Sequence, residues 1–347
     1  MGFCLIIPFV DHSLTLNSLT DRAGYAAHFM DLTLWDQYVC RVCEYHGFGC
    51  EKVYPGVPGT FPTFIVELIP RGDYQPHKSV VVKFFGPLFD GAGSFRIERD
   101  MGHWIEKQSL SIPSPIILAE GRLNNDWQYL IFEHVNGVSI GQVRDKLAKD
   151  DWSLVACQMG GYIHQLHALT AGHALELPAS ISPCADNYTG FLSQQHLNCL
   201  TNHQVWNDIP AHLLDQLEGF VLPVERLLDF SAPPYLIHAD LTADHLLGSL
   251  ESGRWQSLAI IDWGDAKTGN LLYELVALHL DLFHSDRQLL RECLDAYGLP
   301  GFYWHDFPRK ALSLVLLHQF PMPAWVYEPY QEVHSLQELA ECLFGGN

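Results

Sequence analysis

The chain has 347 residues, of which 48% are apolar and 17% are charged, a composition typical of a folded globular protein and not of a disordered one. The length fits one large domain or two lobes. Forty acidic against twenty basic residues give a formal net charge of -20, so the overall field repels nucleic acid, which we exclude as a partner, and attracts a cationic small molecule.

The cysteines and the opening residues indicate the cellular compartment of the protein. Nine cysteines are spread along the chain without the dense, regular spacing of a disulfide-stabilised domain. Residues 1–10 are apolar, but they lack a basic flank, and the run stops at Asp11, so it is too short to cross a bilayer or to direct export. We therefore predict a cytoplasmic protein with no membrane partner.

Residues 1–49 are predicted to be an N-terminal helical extension. Its clearest element is a helix from 33 to 46, closed by Gly47. Four residues in or just after this helix have a spacing that a tetrahedral zinc site would accept: Cys40, Cys43, His46 and Cys50. Cysteine is also a small buried hydrophobe, so packing is the favoured interpretation and zinc the alternative.

Strand patterns dominate residues 50–134. Residues 79–85 (SVVVKFF) and 129–133 (YLIFE) are short runs of β-branched or aromatic residues. Residues 53–67 fit a hairpin with its turn at 56–60. These elements predict a small β-rich lobe.

Helical patterns dominate residues 135–347. Residues 151–169 place their apolar side chains on one helical face, as in a buried helix. Two strand-like runs, 235–238 and 258–262, lie within this half and are predicted to be adjacent strands of one hairpin. The fold class predicted is α+β, with the β-rich lobe followed by a larger, mostly α-helical lobe.

Two motifs lie at the ends of those strand-like runs. The first reads HADLTADH and carries His238, Asp240 and His245, and the second reads IDWGDA and begins at Ile261 with Asp262 next. Phosphoryl transfer needs a carboxylate to orient and deprotonate the attacking hydroxyl, and further ligands to hold Mg²⁺ on the phosphates. The ordered pair of aspartates therefore predicts a phosphotransferase site.

The first motif resembles the H-x-D-x-x-x-x-N catalytic loop of the aminoglycoside phosphotransferase and choline kinase superfamily, and IDWGDA resembles its metal-binding segment. The resemblance covers about residues 50–280. It implies a bilobal, protein-kinase-like fold in which Asp240 is the catalytic base, Asp262 is the main metal ligand and His238 braces the loop.

The same resemblance assigns residues that bind the nucleotide phosphates. Lys83 matches the lysine that contacts the phosphates, and Glu98 matches its ion-pair partner, with Glu106 on the same predicted helix as the alternative. The turn that contains Gly59 and Thr60 would cover the phosphates with backbone N–H groups. An ordinary Pro/Gly turn is the alternative there.

Adenine recognition is assigned in the same way. The segment YLIFEHVNG resembles the hinge that joins the two lobes in the superfamily. The resemblance implies that the backbone groups of Glu133 and Val135 hydrogen-bond the adenine ring. The predicted domains are therefore the extension 1–49, the nucleotide-binding lobe 50–134 and the catalytic lobe 135–347.

Three features depart from the superfamily pattern. His245 replaces the usual Asn, and in this the chain resembles macrolide phosphotransferases. Because Mg²⁺ prefers oxygen ligands to imidazole, a second metal site that includes His245 would be weak, tolerant of Mn²⁺ or absent. The alternative is that His245 is a packing residue. Asn270 and Glu274 follow the metal motif, where an acidic residue and Asp are commoner. The absence of H-R-D and A-P-E segments argues against a protein kinase.

The function predicted is transfer of the γ-phosphate of MgATP to a hydroxyl of a small molecule, such as an aminoglycoside, a macrolide or an amino alcohol. One alternative is a catalytically weak pseudokinase or nucleotide-binding module, and another is a phosphoesterase with a metal cluster at His238, Asp240, Asp244 and His245. Residues 183–220 would bind the acceptor or only cap the lobe. The sequence identifies neither the acceptor, the oligomeric state nor a preference for ATP over GTP.

Overall fold

The computed structural model describes residues 16–57, 59–70, 76–171, 177–181, 185–228, 234–251, 253–299 and 306–345. The opening residues 1–10, Pro58 in the predicted phosphate-covering turn, and the first two residues of the region 183–220 lie outside this part of the chain. The chain divides into two compact units. Unit 1 comprises the residues through Ser109, Pro113–Gly137 and Leu258–Asp265, and unit 2 comprises Leu110–Ile112, Val138–Ser257 and the residues from Ala266 onward.

Unit 1 is a five-stranded sheet with helices. Its helices and strands in chain order are α1 (Arg22–His28), α2 (Leu32–Tyr45), β1 (Cys50–Pro55), β2 (Thr63–Leu68), β3 (Ser79–Phe85), α3 (Gly91–Ile105), β4 (Ile117–Arg122) and β5 (Gln128–Glu133). A 3₁₀ turn at Trp263–Asp265 completes the unit. The strands are antiparallel in the order β1-β2-β3-β5-β4.

Unit 2 is mostly helical. Its elements are β6 (Val138–Ser139), α4 (Lys149–Ala171), α5 (Ala185–Trp206), α6 (Ala211–Leu214), α7 (Leu217–Phe220), α8 (Val224–Leu227), β7 (Tyr235–Ile237), β8 (Leu246–Glu251), β9 (Arg254–Ile260, which continues into unit 1), β10 (Lys267–Gly269), α9 (Leu271–Ala277), a π-helix (Leu278–Leu282), α10 (Arg287–Tyr297), α11 (Phe307–Leu316), α12 (Ala324–Tyr327) and α13 (Leu336–Phe344). None of the described helices is both long and apolar enough to cross a membrane.

The two faces of β3 pack against different elements, because successive side chains of a strand point to opposite sides of its sheet. Val80, Val82 and Phe84 belong to the core that α2 covers. Phe85 packs instead against Phe95 of α3, with ring centroids 5.5 Å apart. Lys83 has the same parity as Phe85, so the strand's alternation places its side chain on the α3 face.

The predicted helix at 33–46 is α2, and it packs on the sheet of unit 1. The indole of Trp35 is fully buried and lies 4.9 Å from the ring of Phe84 and 5.3 Å from that of Trp127. Gly47 ends the helix with φ 81°, a left-handed conformation that glycine adopts without steric cost. Helix α2 is thus part of the core of unit 1.

The four residues of the zinc alternative have other partners. Cys40 and Cys50 form a disulfide that joins α2 to β1, with their Cα atoms 5.2 Å apart. Cys43 is buried in the core, and Nε2 of His46 is 2.9 Å from the hydroxyl of Tyr129. The favoured packing interpretation describes Cys43, whereas the Cys40–Cys50 bond was not predicted.

The predicted hairpin of 235–238 with 258–262 is wrong. β7 pairs with β10, and β9 pairs with β8 instead. Strand β8 was not predicted because its run LLGSLE contains Gly, Ser and Glu, which weaken a strand pattern. Gly248 is required there, since a Cβ atom at this position would collide with the indole of Trp255.

The predicted α+β class itself is confirmed, with the antiparallel sheet in unit 1 and helices dominating unit 2.

Candidate active site

Lys83 is the centre of a buried charge cluster in unit 1. Its Nζ lies 2.7 Å from Oε2 of Glu98 on α3 and 2.8 Å from Oδ1 of Asp262. Residues 15 and 179 positions away in the sequence therefore meet at one ammonium group. Glu98 is buried on α3, whereas Glu106, the alternative partner, caps the end of that helix and is exposed.

The electrostatics of this cluster keep Lys83 charged. Burial by itself lowers the pKa of a lysine, but the carboxylates of Asp262 and Glu98 outweigh it and hold the pKa of Lys83 above its usual range. The cluster carries two formal negative charges against one positive charge. The side chain of Asp262 is 32% exposed while those of Lys83 and Glu98 are 7% and 6% exposed, so Asp262 is the member open to a ligand.

Asp262 is held in an unusual backbone conformation. Its φ is 64°, in the left-handed region that aspartate tolerates better than most residues. The next residue, Trp263, is buried and donates from Nε1 to Oγ of Ser114 over 2.8 Å. The turn is thereby fixed, which sets the direction of the Asp262 carboxylate.

The turn between β1 and β2 is exposed at Gly59 and Thr60. The Thr60 carbonyl accepts a hydrogen bond from the hydroxyl of Tyr25 over 2.7 Å, which ties the turn to α1. A Cβ atom at Gly59 would have no neighbour within 4 Å. The turn is thus bonded to α1 through Thr60, while the space around Gly59 is open.

The predicted adenine-binding segment follows β5. The N–H of Glu133 donates to the carbonyl of Ile116, and its Oε1 accepts from the Ile116 N–H over 3.0 Å. The carbonyl of Val135 accepts from the N–H of Gly137 over 2.9 Å. These bonds hold residues 133–137, which follow directly from β5, in one backbone conformation.

In unit 2, the loop that carries Asp240 follows β7 and is anchored by a buried carboxylate. Oε1 of Glu274 accepts from the N–H of His238 over 3.2 Å, and Oε2 accepts from the N–H of Ala239 over 2.8 Å. Ala239 has a φ of 68°, which costs free energy for a residue with a Cβ atom. Glu274 therefore stabilises a strained backbone immediately before Asp240.

Burial changes the titration of this anchor. Glu274 is fully buried, and burial raises the pKa of its carboxyl to about 7 although the two N–H groups oppose that shift. From the sequence, Glu274 was noted only as a departure from the superfamily pattern. The signal that could have identified the anchor was a carboxylate on an otherwise apolar helix, LLYELVA.

A second carboxylate supports the other end of the loop. Oδ1 of Asp281, on the π-helix, accepts from the N–H of Ala243 over 2.6 Å. The backbone carbonyl of Asp281 in turn accepts from Nη2 of Arg144 over 2.8 Å. Sequence reasoning missed both residues, because their partners are distant in the chain.

The histidines of the loop are also engaged. His238 is fully buried, and its Nδ1 accepts from the N–H of Asp240 over 3.3 Å. Nδ1 of His245 lies 2.7 Å from the carbonyl oxygen of Asp240 and must be the protonated nitrogen to donate there. Nε2 of a neutral His245 is then the nitrogen with a lone pair, as in histidines that bind metals.

Metal-ligand chemistry is more limited than the phosphoesterase alternative requires. Across the described residues, no three or more His, Cys, Asp or Glu side chains are placed to hold one ion. Oδ1 of Asp244 accepts from Oγ of Ser139 over 3.1 Å. Asp262 fits Mg²⁺ better, since this ion takes one or two carboxylate oxygens together with phosphate oxygens and water.

Comparison with protein families gives a match over most of the chain. The model of the phosphotransferase enzyme family matches residues 70–307, which is more than half of the 347 residues. Among curated proteins, lysine-specific demethylase JMJ21 of Arabidopsis thaliana is 25% identical over 209 residues, which are 50% of this chain. The chain spans only 22% of the length of that relative.

Solved structures show the same fold. Wild-type aminoglycoside 2'-phosphotransferase-IIIa in complex with GDP matches with a TM-score of 0.60 and 19% identity, over 89% of this chain and 96% of the other. The GDP and kanamycin complex of APH(2")-IIIa has a TM-score of 0.60 and 19% identity, over 82% and 89%. The streptomycin-ATP-APH(2")-IIa ternary complex has a TM-score of 0.51 and 15% identity, over 91% and 99%.

Proposed function

The chain belongs to the phosphotransferase enzyme family. We propose that it is a small-molecule kinase that transfers the γ-phosphate of MgATP to a hydroxyl group, with Asp240 as general base. The observation that carries this proposal is the cluster of Lys83, Glu98 and Asp262. A buried lysine held by one buried and one partly exposed carboxylate places a fixed cation beside an oxygen ligand for a metal. Nucleotide phosphates need both.

Lys83 would bind phosphate oxygens, and Glu98 would hold its ammonium group in place. The Asp262 carboxylate would be the main ligand of Mg²⁺, which when bound neutralises charge on the phosphates. The backbone N–H groups of Gly59 and Thr60 would cover the phosphates. The similar solved structures with GDP and ATP support a nucleotide ligand, and ATP is the one we propose.

Adenine would be bound by the backbone at the end of β5. The Glu133 carbonyl would accept from the adenine amino group, and the Val135 N–H would donate to a ring nitrogen. The side chain of Glu133 already bonds Ile116, so it would hold the segment in shape and leave recognition to the backbone.

In unit 2, the Asp240 carboxylate would accept the proton of the acceptor hydroxyl. The hydroxyl oxygen would at the same time attack the γ-phosphorus, and ADP would leave. The anchors Glu274 and Asp281 would keep the loop in one conformation, so that the carboxylate need not reorganise during the reaction. His245 would be a second, weaker metal ligand through Nε2, with Mn²⁺ accepted at least as well as Mg²⁺ because imidazole is a borderline donor.

The acceptor is proposed to be a hydroxylated small molecule. The similar structures include complexes with kanamycin and streptomycin, so an aminoglycoside-like compound is one class to test beside macrolides and amino alcohols. A nucleotide-binding module without turnover is the second candidate, and the observation that favours it is the imidazole of His245 in place of an oxygen ligand.

Calorimetric titration of ATP, with Mg²⁺ and then with Mn²⁺, tests the nucleotide site. We expect metal-dependent binding that Asp262→Ala abolishes and that Asp126→Ala, an exposed aspartate of the same unit, retains. Titration with GTP shows which base is preferred. Absence of ATP binding by the wild-type protein with either metal would contradict the proposal.

Turnover separates the two candidates. Asp240→Asn should bind MgATP as the wild-type protein does, while phosphorylation of an accepted compound falls by about a hundred- to ten-thousand-fold. Binding of ATP without turnover of any hydroxylated compound, under both metals, would support the nucleotide-binding module.

A further inference from the structure

The proposed catalytic loop is held from both sides at Ala243. Its N–H donates to Oδ1 of Asp281 on the π-helix over 2.6 Å, and its carbonyl accepts from the N–H of Gly141 over 3.2 Å. Gly141 belongs to a 3₁₀ helix (Ile140–Lys146) that precedes α4. A Cβ atom at Gly141 would lie 2.9 Å from Oδ1 of Asp244, so the lack of a side chain lets this helix approach the loop closely.

Arg144, on the same 3₁₀ helix, links that helix to the π-helix. Nη2 of Arg144 donates to the carbonyl of Asp281 over 2.8 Å, and Nη1 donates to the carbonyl of Leu282 over 3.1 Å. These are the last two residues of the π-helix, where the helix dipole favours a cation. The guanidinium carbon also lies 5.1 Å from the ring centroid of Trp152 on α4. One planar group is thus held between two helices.

The charge of Arg144 is surrounded by carboxylates of the protein itself. Burial lowers the pKa of the guanidinium group from its usual value, whereas the carboxylates of Asp281, Asp145 and Asp244 oppose that shift. The group stays protonated at any physiological pH. Oδ1 of Asp244 also accepts from Oγ of Ser139, the residue that caps the 3₁₀ helix. The partners of Arg144 are therefore the elements around the loop.

We infer that Arg144 is a positioning residue for phosphoryl transfer, because it fixes the end of the π-helix from which Asp281 holds Ala243. The inference rests on the proposed phosphotransferase function. Ala243 comes three residues after Asp240, whose carbonyl lies 2.7 Å from Nδ1 of His245. Because the loop is bonded across its length, a shift at Ala243 would move the proposed general base away from the attacking hydroxyl.

Amide hydrogen exchange of the full chain, measured by mass spectrometry on peptides from 238–246, tests the positioning. In Arg144→Met, which keeps an apolar stem on Trp152, the Ala243 amide should exchange about tenfold faster than in the wild-type protein, because its acceptor is no longer held in place. Asp281→Ala should give a similar increase, and the double variant no more. Additive increases, or wild-type exchange in Arg144→Met, would overturn the inference.

Arg309 provides a matched control in the same unit. Its Nε and Nη2 donate to the carbonyls of Phe220 and Gly219, both over 2.9 Å, and its guanidinium carbon lies 5.4 Å from the ring centroid of Phe220. Arg309→Met therefore removes the same kinds of contact from a different pair of carbonyls, and exchange at 238–246 should stay at the wild-type rate. Equal acceleration in both variants would show a general loss of stability and overturn the inference.

Turnover shows whether the positioning serves the reaction. Kanamycin, erythromycin and choline are the probes, and the one that the wild-type protein phosphorylates fastest is used. Arg144→Met should lower kcat by about ten- to a hundredfold and leave the KM for MgATP unchanged, and Arg144→Lys, which keeps the charge and perturbs folding less, should recover part of the loss. An equal loss of kcat in Arg309→Met, or a raised KM for MgATP at unchanged kcat, would overturn the inference.

The outcome for the wild-type protein separates this inference from the proposed function. Absence of MgATP binding, or of turnover of all three probes, would count against the proposed function. The exchange rates of Arg144→Met and Arg309→Met would still decide whether Arg144 holds the loop.

Discussion

At the scale of single residues, Lys83 and Glu274 lie where water is largely excluded, and each has polar partners. Lys83 has two carboxylates within 2.8 Å, and Glu274 has two backbone N–H donors. A buried charge without such partners would be strongly destabilising. These groups therefore contribute both to stability and to the proposed chemistry, and the two contributions can be separated by substitution.

Glu98→Gln should lower the free energy of unfolding by about 1–3 kcal/mol, because a charge-assisted bond to a buried lysine becomes a neutral one. Glu106→Gln, at the exposed end of the same helix, should change it by less than about 0.5 kcal/mol. Denaturant unfolding of both variants checks this. Equal effects at the two positions would show that the ion pair with Lys83 adds nothing to stability.

Glu274→Gln should change how stability depends on pH. A carboxyl with a pKa near 4.5 in the unfolded chain and about 7 in the folded protein favours folding most below 4.5, and this contribution is lost as the pH rises through 7. Wild-type protein should thus lose roughly 3 kcal/mol relative to Glu274→Gln between these values. Unfolding of both proteins at pH 5, 6, 7 and 8 measures the difference; a constant difference would contradict the raised pKa.

At the scale of helices and strands, the proposed catalytic loop is held by two elements that follow it in the chain. Helix α9 contributes Glu274 to one end of the loop, and the π-helix contributes Asp281 to the other. The π-helix is itself bonded to α13, since Nε2 of His279 is 2.9 Å from the carbonyl of Leu343. Single π-helical turns inside helices often occur at functional sites, and this one places Asp281 within reach of Ala243.

Two adjacent glycines of α4 should respond oppositely to alanine. A Cβ atom at Gly160 would collide with the carbonyl of Cys293 on α10, whereas one at Gly161 would have no neighbour within 4 Å. Gly160→Ala should therefore lower stability by about 1–3 kcal/mol through overpacking. Gly161→Ala should raise it by about 0.5–1 kcal/mol, because alanine favours the helix.

Thermal unfolding of both glycine variants, followed by circular dichroism, measures this pair. The two substitutions are chemically identical and lie in one helix, so the difference between them reports only on the contact with α10. Changes of the same sign would mean that α4 and α10 can separate enough to admit a methyl group.

At the scale of the whole molecule, the two units have separate sets of functional residues. Apart from His245, the proposed second metal ligand, the proposed nucleotide residues belong to unit 1; they include Asp262, although it follows most of unit 2 in the sequence. The proposed general base Asp240 belongs to unit 2. Binding and turnover should accordingly be separable by substitutions in different units.

MgATP at one hundred times its dissociation constant should stabilise the wild-type protein by about 2.7 kcal/mol and raise its melting temperature. Asp240→Asn should show the same increase, because the substitution leaves unit 1 intact. Asp262→Asn should show little or none, since a neutral amide binds Mg²⁺ poorly. Differential scanning fluorimetry with and without MgATP tests all three proteins, and stabilisation of Asp262→Asn equal to wild type would remove Asp262 from the metal site.

Much of this organisation could be predicted from local patterns. The strand 79–85 and the helix at 33–46 follow from periodicity and end signals that act over a few residues. The family resemblance singled out Lys83 and Glu98 as a pair, and the structure places them in contact. The resemblance of HADLTADH and IDWGDA to known motifs predicted the family, which the family comparison confirms.

Only the tertiary structure decided what depends on partners far apart in the chain. It selected β8 as the partner of β9, brought Asp262 to Lys83 across 179 residues, and joined Cys40 to Cys50. Arg144 and Ala243 likewise meet at Asp281, although they lie 137 and 38 positions from it in the sequence. The sequence alone determined local structure and family because short-range sterics and side-chain chemistry act along the chain, whereas strand pairing, buried charge compensation and the support of the Asp240 loop depend on contacts that exist only once it has folded.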